Sequence, residues 1–250
     1  MTIPHLLGRS LALAIVALLA VQACAAAKKP KPKPAPSPSA AANEAGDPLD
    51  HVLDTMDQAA ATFRSAQADF VWTTFNSVIK EVDGTDKGKI YFRHNGKEIE
   101  MAADMAAPNE QQIIFSGGKI KVYRVQTKQV NVYDAGAHRE EFETFLVLGF
   151  GSSGSDMRKS FEVKYLGDEK IGDIQTARLQ LTPIAPKVQQ QFPRIDLWID
   201  VQRGLSLRQQ LWQANGDYRV ADYSNIQVNK KISDNVFKLR TSGDTTTVNH

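Results

Sequence analysis

The chain of 250 residues has one cysteine, no apolar run long enough to cross a bilayer and no marked excess of charge. Because Cys24 stands alone, no disulfide can form within the chain. The longest apolar run, residues 11–21, is too short to span a hydrocarbon core of about 30 Å. The formal net charge is +2, and Arg9 and four lysines in residues 28–33 supply the positive excess. Residues 48–250 are therefore close to neutral, and nucleic-acid binding is not expected.

The first residues have the composition of an export signal. Arg9 precedes the apolar run, and small residues follow it. This order of charge, apolar core and small residues is typical of a secretory signal peptide. We therefore predict that residues 1–24 form a signal peptide. The protein would reside in the periplasm of a Gram-negative-type bacterium, either soluble or tethered to a membrane through Cys24.

Cys24 has two interpretations, which the sequence leaves open. Val21-Gln22-Ala23-Cys24 resembles a bacterial lipobox, although Gln22 is unusual there. In that case Cys24 is the candidate lipidation site and the first residue of the mature protein. In the other case a conventional signal peptidase cleaves near Ala23, Ala25 or Ala26.

Residues 25–46 have the composition of a spacer. The segment contains five prolines and four lysines and no large apolar side chain, so it cannot build a core of its own. Lys-Pro repeats favour an extended backbone that rises about 3.1 Å per residue. We predict a disordered linker here, of the kind that an anchored protein needs, followed by one domain at 47–250.

One amphipathic helix and many short strands are predicted in that domain. Asp47 is a suitable N-cap and Pro48 a suitable first helical residue, and apolar side chains recur at helical spacing from Leu49 to Phe63. A second helical segment is predicted at 137–148, with a glycine-serine loop after it. Turn signals separate eleven predicted strands, at 68–79, 89–94, 97–105, 112–116, 119–126, 129–134, 161–170, 174–183, 194–201, 206–214 and 217–230.

The pattern predicts an α+β fold that is mainly antiparallel β. The expected architecture is a half-open, curled β-barrel of about eleven strands, with helices as a lid over its concave face. Alternating apolar residues along the strands would make that face apolar. The strands and helices could enclose a lipid-sized cavity, or the helices could fill the barrel and leave a dry core.

Several stretches resemble the periplasmic outer-membrane lipoprotein carrier family (LolA-like proteins). They are SAQADFVWT, GKIYFRHNGK, IIFSGGKIKVYRVQTKQVNVYD and RIDLWIDVQRGLSLRQQLWQANGDYRVADYSNIQVNKKISDNVFKL, in the order that the family shows. The resemblance covers about residues 48–240. It implies a half-open barrel whose cavity holds lipoprotein acyl chains and carries them across the periplasm by binding and release.

One position departs from the family pattern. Carriers of this family place an arginine, thought to bond to the lid, where this sequence has Ile99. The related outer-membrane receptors (LolB-like proteins) lack that arginine and are themselves lipoproteins, so Ile99 and Cys24 both suit a receptor. Arg93 or Lys97 could take over the arginine's role if the strand pairing were shifted.

The resemblance implies a site made of apolar side chains. Its partners would be lipoprotein acyl chains or other lipid, an inner-membrane lipoprotein-releasing transporter and an outer-membrane receptor, and the protein would be a monomer without a cofactor. The predicted cavity residues are Phe70, Ile90, Phe92, Ile99, Met101, Ile113, Phe115, Leu197 and Ile199. The predicted lid residues are Leu53, Met56, Phe142, Phe145 and Leu146.

Patterns for catalysis or metal binding are weak. Gly149–Gly154 reads GFGSSG and fits a dinucleotide fingerprint, but the surrounding hairpins do not provide the strand–helix unit that this motif requires. Ser152 and Ser153 do not fit the nucleophile-elbow pattern, and the histidines are not at metal-ligand spacing. We predict no catalytic residue, no metal site and no enzymatic activity. An envelope sensor built on the same fold, and less favourably a periplasmic hydrolase, remain alternatives.

Overall fold

The computed structural model describes residues 47–96, 98–136 and 148–250. Within these ranges the helices are α1 (Pro48–Thr62), α2 (Gly154–Ser160) and α3 (Pro186–Gln191), with a 3-10 helix at Asp234–Phe237. The strands are β1 (Ser65–Asn76), β2 (Glu81–Asn95), β3 (Glu98–Met105), β4 (Gln111–Ser116), β5 (Lys119–Arg124), β6 (Gln129–Asp134), β7 (Phe161–Ile171), β8 (Ile174–Pro183), β9 (Arg194–Asp200), β10 (Leu205–Trp212), β11 (Tyr218–Val228) and β12 (Thr246–Asn249).

All twelve strands in the described ranges belong to one sheet, in the order β12-β6-β5-β4-β3-β2-β1-β11-β10-β9-β8-β7. Two antiparallel meanders, β1 to β6 and β7 to β11, are joined where β1 pairs with β11. The sheet is open, with β12 and β7 as its two edges. This confirms the predicted class, a mainly antiparallel fold with an open sheet and few helices.

The structure differs from the sequence prediction in three short elements. β12 was not predicted because its Thr-Thr-Val-Asn sequence is exposed and has no apolar alternation; it pairs in parallel with β6 through the backbone. The helix α3 and the 3-10 helix were also missed, since segments this short show no helical periodicity.

The first hairpin is also placed differently from the prediction. The predicted strands at 68–79 and 89–94 imply a turn within residues 80–88, but residues 81–88 lie inside β2, and the chain instead turns between Asn76 and Glu81. Asn76 stabilises that earlier turn, because its side chain accepts hydrogen bonds from the backbone N–H groups of Val78 (2.9 Å) and Ile79 (3.3 Å).

Helix α1 begins and packs as its sequence predicts. The Asp47 side chain accepts a hydrogen bond from the Leu49 backbone N–H at 3.0 Å. Val52, Leu53 and Met56 are buried against the sheet, and burial of each stabilises the fold by about 1.5–3 kcal/mol. No helix in the described part of the chain is long and apolar enough to span a membrane.

The face of the sheet that α1 covers, here called the inner face, carries two clusters of buried apolar side chains. The first spans β1 to β5 and includes Phe63 and Phe150. The second lies between α1, α2 and strands β7 to β9. A small third cluster sits on the opposite, outer face, where Phe237 of the 3-10 helix covers Ala102 and Ile114.

Candidate functional site

The first cluster forms a continuous apolar wall because the strand register aligns its side chains. Phe92 of β2 lies opposite Met101 of β3, which lies opposite Phe115 of β4, which lies opposite Ile120 of β5. All four are at most 3% exposed. Alternation along antiparallel strands sends every second side chain to the same face, so a register shift of one residue would remove this wall.

One glycine allows an aromatic side chain into the wall. Gly88 of β2 lies opposite Phe70 of β1, and a Cβ atom at Gly88 would approach the Phe70 ring to 2.8 Å and the Asp104 carbonyl oxygen to 2.1 Å. Phe70 occupies the freed space and stacks on Trp72 with ring centroids 4.3 Å apart.

The structure divides the predicted cavity residues between the two clusters. Leu197 and Ile199 lie in the second cluster, 0% exposed, together with the predicted lid residues Leu53 and Met56. Ile99 is half-buried and belongs to neither cluster, although strand alternation places it on the inner face with Met101. The first cluster contains the remaining six, which are Phe70, Ile90, Phe92, Met101, Ile113 and Phe115.

The other predicted lid residues, Phe142, Phe145 and Leu146, lie outside the described residues, as does Cys24. Of the predicted lid, the structure therefore places only Leu53 and Met56. Both lie over the second cluster.

A residue that the sequence analysis missed, Phe150, covers the first cluster. Its ring stacks on Phe92 with centroids 5.3 Å apart and meets Tyr223 edge-on at 4.8 Å, and it is 1% exposed. An aromatic residue inside a glycine-serine loop was the only signal for it. The sequence predicts only a glycine-serine loop here, whereas the Phe150 of this loop is part of the core.

The glycines of the loop serve close packing. Gly151 has a φ of +88°, and a Cβ atom there would lie 2.5 Å from the Phe63 ring. A Cβ atom at Gly154 would lie 2.6 Å from the Leu53 side chain. The loop therefore fits tightly against α1 and the residue that follows it, and the GFGSSG sequence is explained without a nucleotide.

Ser152 and Ser153, which do not fit a nucleophile pattern in the sequence, have structural roles. The Ser152 hydroxyl accepts a hydrogen bond from the Gly149 backbone N–H at 3.1 Å. The Ser153 hydroxyl caps α2 by accepting from the Asp156 backbone N–H at 2.9 Å, and it donates to the Asp156 carboxylate at 2.8 Å. Across the described ranges, no group of three or more His, Cys, Asp and Glu residues could hold a metal ion.

Polar side chains of β10 and β11 lie on the inner face beside the apolar wall. The Tyr223 hydroxyl donates to the Gln209 side-chain oxygen at 3.3 Å, and burial raises the pKa of Tyr223. Arg219 lies two residues before the inner-face residue Ala221, with its guanidinium carbon 5.8 Å from the centre of the Trp72 ring. Desolvation by burial lowers the pKa of Arg219.

The outer face has a different chemistry. Asp196 is 0% exposed and accepts hydrogen bonds from Arg194 (2.6 and 2.7 Å) and from Arg178 (2.8 Å). The Trp198 indole N–H donates to Glu169 at 2.6 Å, and this bond, followed by one from Arg178, lowers the pKa of Glu169. Charged pairs on the outer face thus contrast with the largely apolar inner face.

The family model described as outer membrane lipoprotein carrier protein LolA matches residues 61–240. The chain belongs to this family. A search of curated proteins found no match to the chain.

Solved structures similar to this LolA-family chain have low sequence identity to it. An uncharacterized conserved protein from Thermus thermophilus is 11% identical, with a TM-score of 0.51 over 82% of this chain and 100% of that protein. LprF from Mycobacterium bovis is 12% identical, with a TM-score of 0.44 over 78% of this chain and 97% of LprF. In the MucA/MucB complex of Pseudomonas aeruginosa, the matched chain is 13% identical, with a TM-score of 0.45 over 76% of this chain and 60% of that one.

Arg93 does not replace the arginine that LolA-like carriers have at the position of Ile99. The Arg93 guanidinium lies on the outer face, where it pairs with Glu100 at 2.6 Å and Asp234 at 2.5 Å and sits 4.1 Å from the centre of the Phe237 ring. The β2–β3 register places His94 opposite Ile99. Lys97, the other candidate, lies outside the described residues.

Proposed function

We propose that this LolA-family protein binds the acyl chains of lipoproteins on the inner face of its sheet and takes part in their sorting to the outer membrane. The observation that carries the proposal is the family match over residues 61–240, which coincides with a wall of apolar side chains spanning β1 to β5. Proteins of this family are carriers, and the described serines have structural roles, so binding and release is the activity we assign.

The energetics favour transfer between sites. Each acyl methylene removed from water contributes about 0.8 kcal/mol, so a single chain gains many kcal/mol on binding. Withdrawing the same chain from a bilayer costs a similar amount. A site with an apolar wall therefore makes transfer from membrane to protein nearly neutral, and exchange with a partner can then proceed in either direction.

The covers of the inner face would have to move for a chain to enter. Phe150 fills the space over Phe92 and Tyr223, and α1 lies over the second cluster. We propose that an acyl chain displaces the Phe150 ring and separates α1 from the sheet. The predicted lid residues Phe142, Phe145 and Leu146 would complete the cover.

Carrier and membrane-anchored receptor are the two roles within this proposal. A carrier would be a soluble periplasmic protein that meets an inner-membrane lipoprotein-releasing transporter and an outer-membrane receptor. A receptor would be held at a membrane by lipid on Cys24, with residues 25–46 as its spacer. The intact mass of the mature N-terminal peptide separates the two, because lipidation adds acyl chains to Cys24 and conventional cleavage does not.

The central test is direct detection of bound lipid. The full chain is purified without detergent from its periplasmic fraction, extracted with organic solvent and analysed by mass spectrometry, and the delipidated protein is titrated with a fluorescent fatty acid and then with a triacylated lipopeptide as competitor. We expect co-purifying lipid and displacement of the probe by the lipopeptide. No extracted lipid together with no probe uptake would refute the proposal.

The same experiment bears on the sensor alternative. A sensor would bind the lipopeptide but would not pass it to acceptor vesicles or to a second lipoprotein-binding protein. Transfer to acceptors within minutes supports the carrier or receptor, whereas binding without transfer supports the sensor.

A further inference from the structure

Arg219 stands out because it is an arginine on the inner face. β11 places it opposite Thr74 of β1 and Leu211 of β10, two residues from Ala221, whose side chain belongs to the first cluster. Its Nε atom is buried and has no hydrogen-bond partner within the described part of the chain. A buried donor without an acceptor destabilises a folded protein.

Neighbouring arginines show what Arg219 lacks. Each of those on the outer face of β8 to β10 pairs with a carboxylate at 2.5–3.0 Å; they are Arg178, Arg194 and Arg208. Arg219 has no such pair among the described residues. The nearest acid on its own face is Asp86, which lies opposite Trp72 and accepts a hydrogen bond from the Asn109 amide at 2.8 Å. The field of Asp86 favours the charged form of Arg219 but leaves its Nε donor without a hydrogen bond.

A second unused donor lies beside the first. The Trp72 Nε1 atom is buried and has no hydrogen bond of good geometry, although it is close enough to the Tyr223 hydroxyl to oppose the rise that burial causes in the pKa of Tyr223. The guanidinium carbon of Arg219 lies 5.8 Å from the centre of the Trp72 ring. The Arg219 guanidinium lies over the face of the indole ring and the indole N–H lies on the side of Tyr223, so the two donors are on the neighbouring strands β1 and β11 at the end of the first cluster.

This arrangement fits an amphipathic ligand. On one side of Trp72, Phe70 stacks at 4.3 Å and leads into the first cluster, which suits an acyl chain. On the other side, Arg219 offers a planar set of N–H donors that is always charged and matches an oxyanion. A group with negative charge and several acceptor oxygens would satisfy the buried Nε–H of Arg219 and could also accept from the Trp72 N–H.

We propose that Arg219 and Trp72 form an anion site at one end of the inner face, and that it binds the carboxylate or phosphate head of an acyl ligand whose chain lies along the first cluster. The inference rests on the proposed function, since it presumes that a chain enters this face. It also extends the ligand class beyond lipoproteins, whose acyl chains have no free carboxylate or phosphate, to single-chain anionic lipids, which would be preferred over a neutral lipid of equal chain length.

The test compares ligands that differ only in their head group. Palmitate, hexadecanol and palmitoyl lysophosphatidate compete with a neutral fluorescent fatty alcohol bound to the full-length protein. We expect Arg219→Gln to weaken palmitate or lysophosphatidate binding about 10-fold, as loss of a charge-assisted hydrogen bond does, and to leave hexadecanol within about 2-fold. The anion whose affinity falls more in this variant identifies the preferred head group as carboxylate or phosphate.

Two further variants provide a control and a second probe of the site. Arg208→Gln removes an arginine from the outer face, where it pairs with Asp222 at 2.5 Å. It should leave the affinity for all three ligands unchanged. Trp72→Phe removes the N–H donor together with the fused five-membered ring. Its effect on hexadecanol therefore measures the lost ring contact, and a further loss of about 3-fold for the preferred anion measures the donor, even if Arg219→Gln folds poorly.

The outcomes separate the inference from the function. If Arg219→Gln weakens the binding of anionic and neutral ligands equally, or if neither variant weakens binding, the anion site is overturned while the acyl-binding function stands. Absence of binding by all three ligands to the unaltered protein refutes the function, and the anion site with it.

Discussion

At the scale of single residues, Phe150 is the side chain that covers the first cluster on the inner face. It is 1% exposed and contacts rings on β2 and β11. Phe150→Ala should lower the free energy of unfolding by about 3–5 kcal/mol, as removal of a buried ring does. It should also strengthen binding of the fluorescent fatty acid, because a chain no longer has to displace the ring.

The matched control for that prediction is an aromatic residue outside the clusters. Phe75 stacks on Tyr218 with centroids 4.7 Å apart and is half-buried. Phe75→Ala should lower the free energy of unfolding, measured by urea titration, by less than Phe150→Ala does. It should leave fatty-acid binding unchanged. Weaker binding in Phe150→Ala would mean that the ring belongs to the bound state, contrary to the prediction.

Asp196 is the second informative residue, because it is fully buried and accepts three hydrogen bonds from two arginines. Asp196→Asn keeps the shape but removes the charge that both guanidinium groups use. Hydrogen bonds to charged groups contribute about 1.5–3 kcal/mol each, so we expect a loss of about 2–4 kcal/mol in the free energy of unfolding. Asp244→Asn, in the exposed pair with Lys128, should change it little.

At the scale of elements, Gly88 holds the register between β1, β2 and β3. A Cβ atom at Gly88 would meet the Asp104 carbonyl oxygen at 2.1 Å, whereas one at Gly84 in the same strand would meet nothing within 4 Å. Gly88→Ala should therefore destabilise the sheet by an amount at the upper end of about 1–3 kcal/mol, and Gly84→Ala should be neutral. Urea unfolding of the two variants, compared pairwise, provides the measurement. Similar free energies of unfolding for the two variants would show that the strands accommodate the added Cβ atom without loss of stability.

The elements also show how far sequence reasoning reaches in this fold. Eleven strands were predictable because alternating apolar residues are separated by Gly and Asn turns, whereas β12 is polar and forms by backbone pairing alone. The wall residues were predictable from alternation within single strands. Phe150 and Arg219 were not, because their positions depend on which strands pair and in what register. That information is absent from any local pattern.

At the scale of the whole molecule, the inner face is divided between two clusters that different elements cover. Helix α1 makes polar contacts with α2 rather than with the wall of the first cluster. The Asp57 carboxylate accepts hydrogen bonds from the Ser155 backbone N–H (3.0 Å) and hydroxyl (2.7 Å), and Asp50 pairs with Arg158. These polar contacts are exposed and contribute little energy individually, so the cost of separating α1 from the sheet lies mainly in the lost burial of Val52, Leu53 and Met56.

Locking the two helices together tests whether that separation is needed. Asp57→Cys with Ser155→Cys, in a chain that also carries Cys24→Ser, places two thiols where the carboxylate and hydroxyl now meet at 2.7 Å. We expect the oxidised protein to take up fluorescent fatty acid at least 10-fold more slowly than the same protein after reduction, because the disulfide holds α1 over the second cluster. The reduced form is its own control, since it has the same sequence. Equal rates in both forms would mean that chains enter without movement of α1, and entry past Phe150 alone would then have to account for uptake.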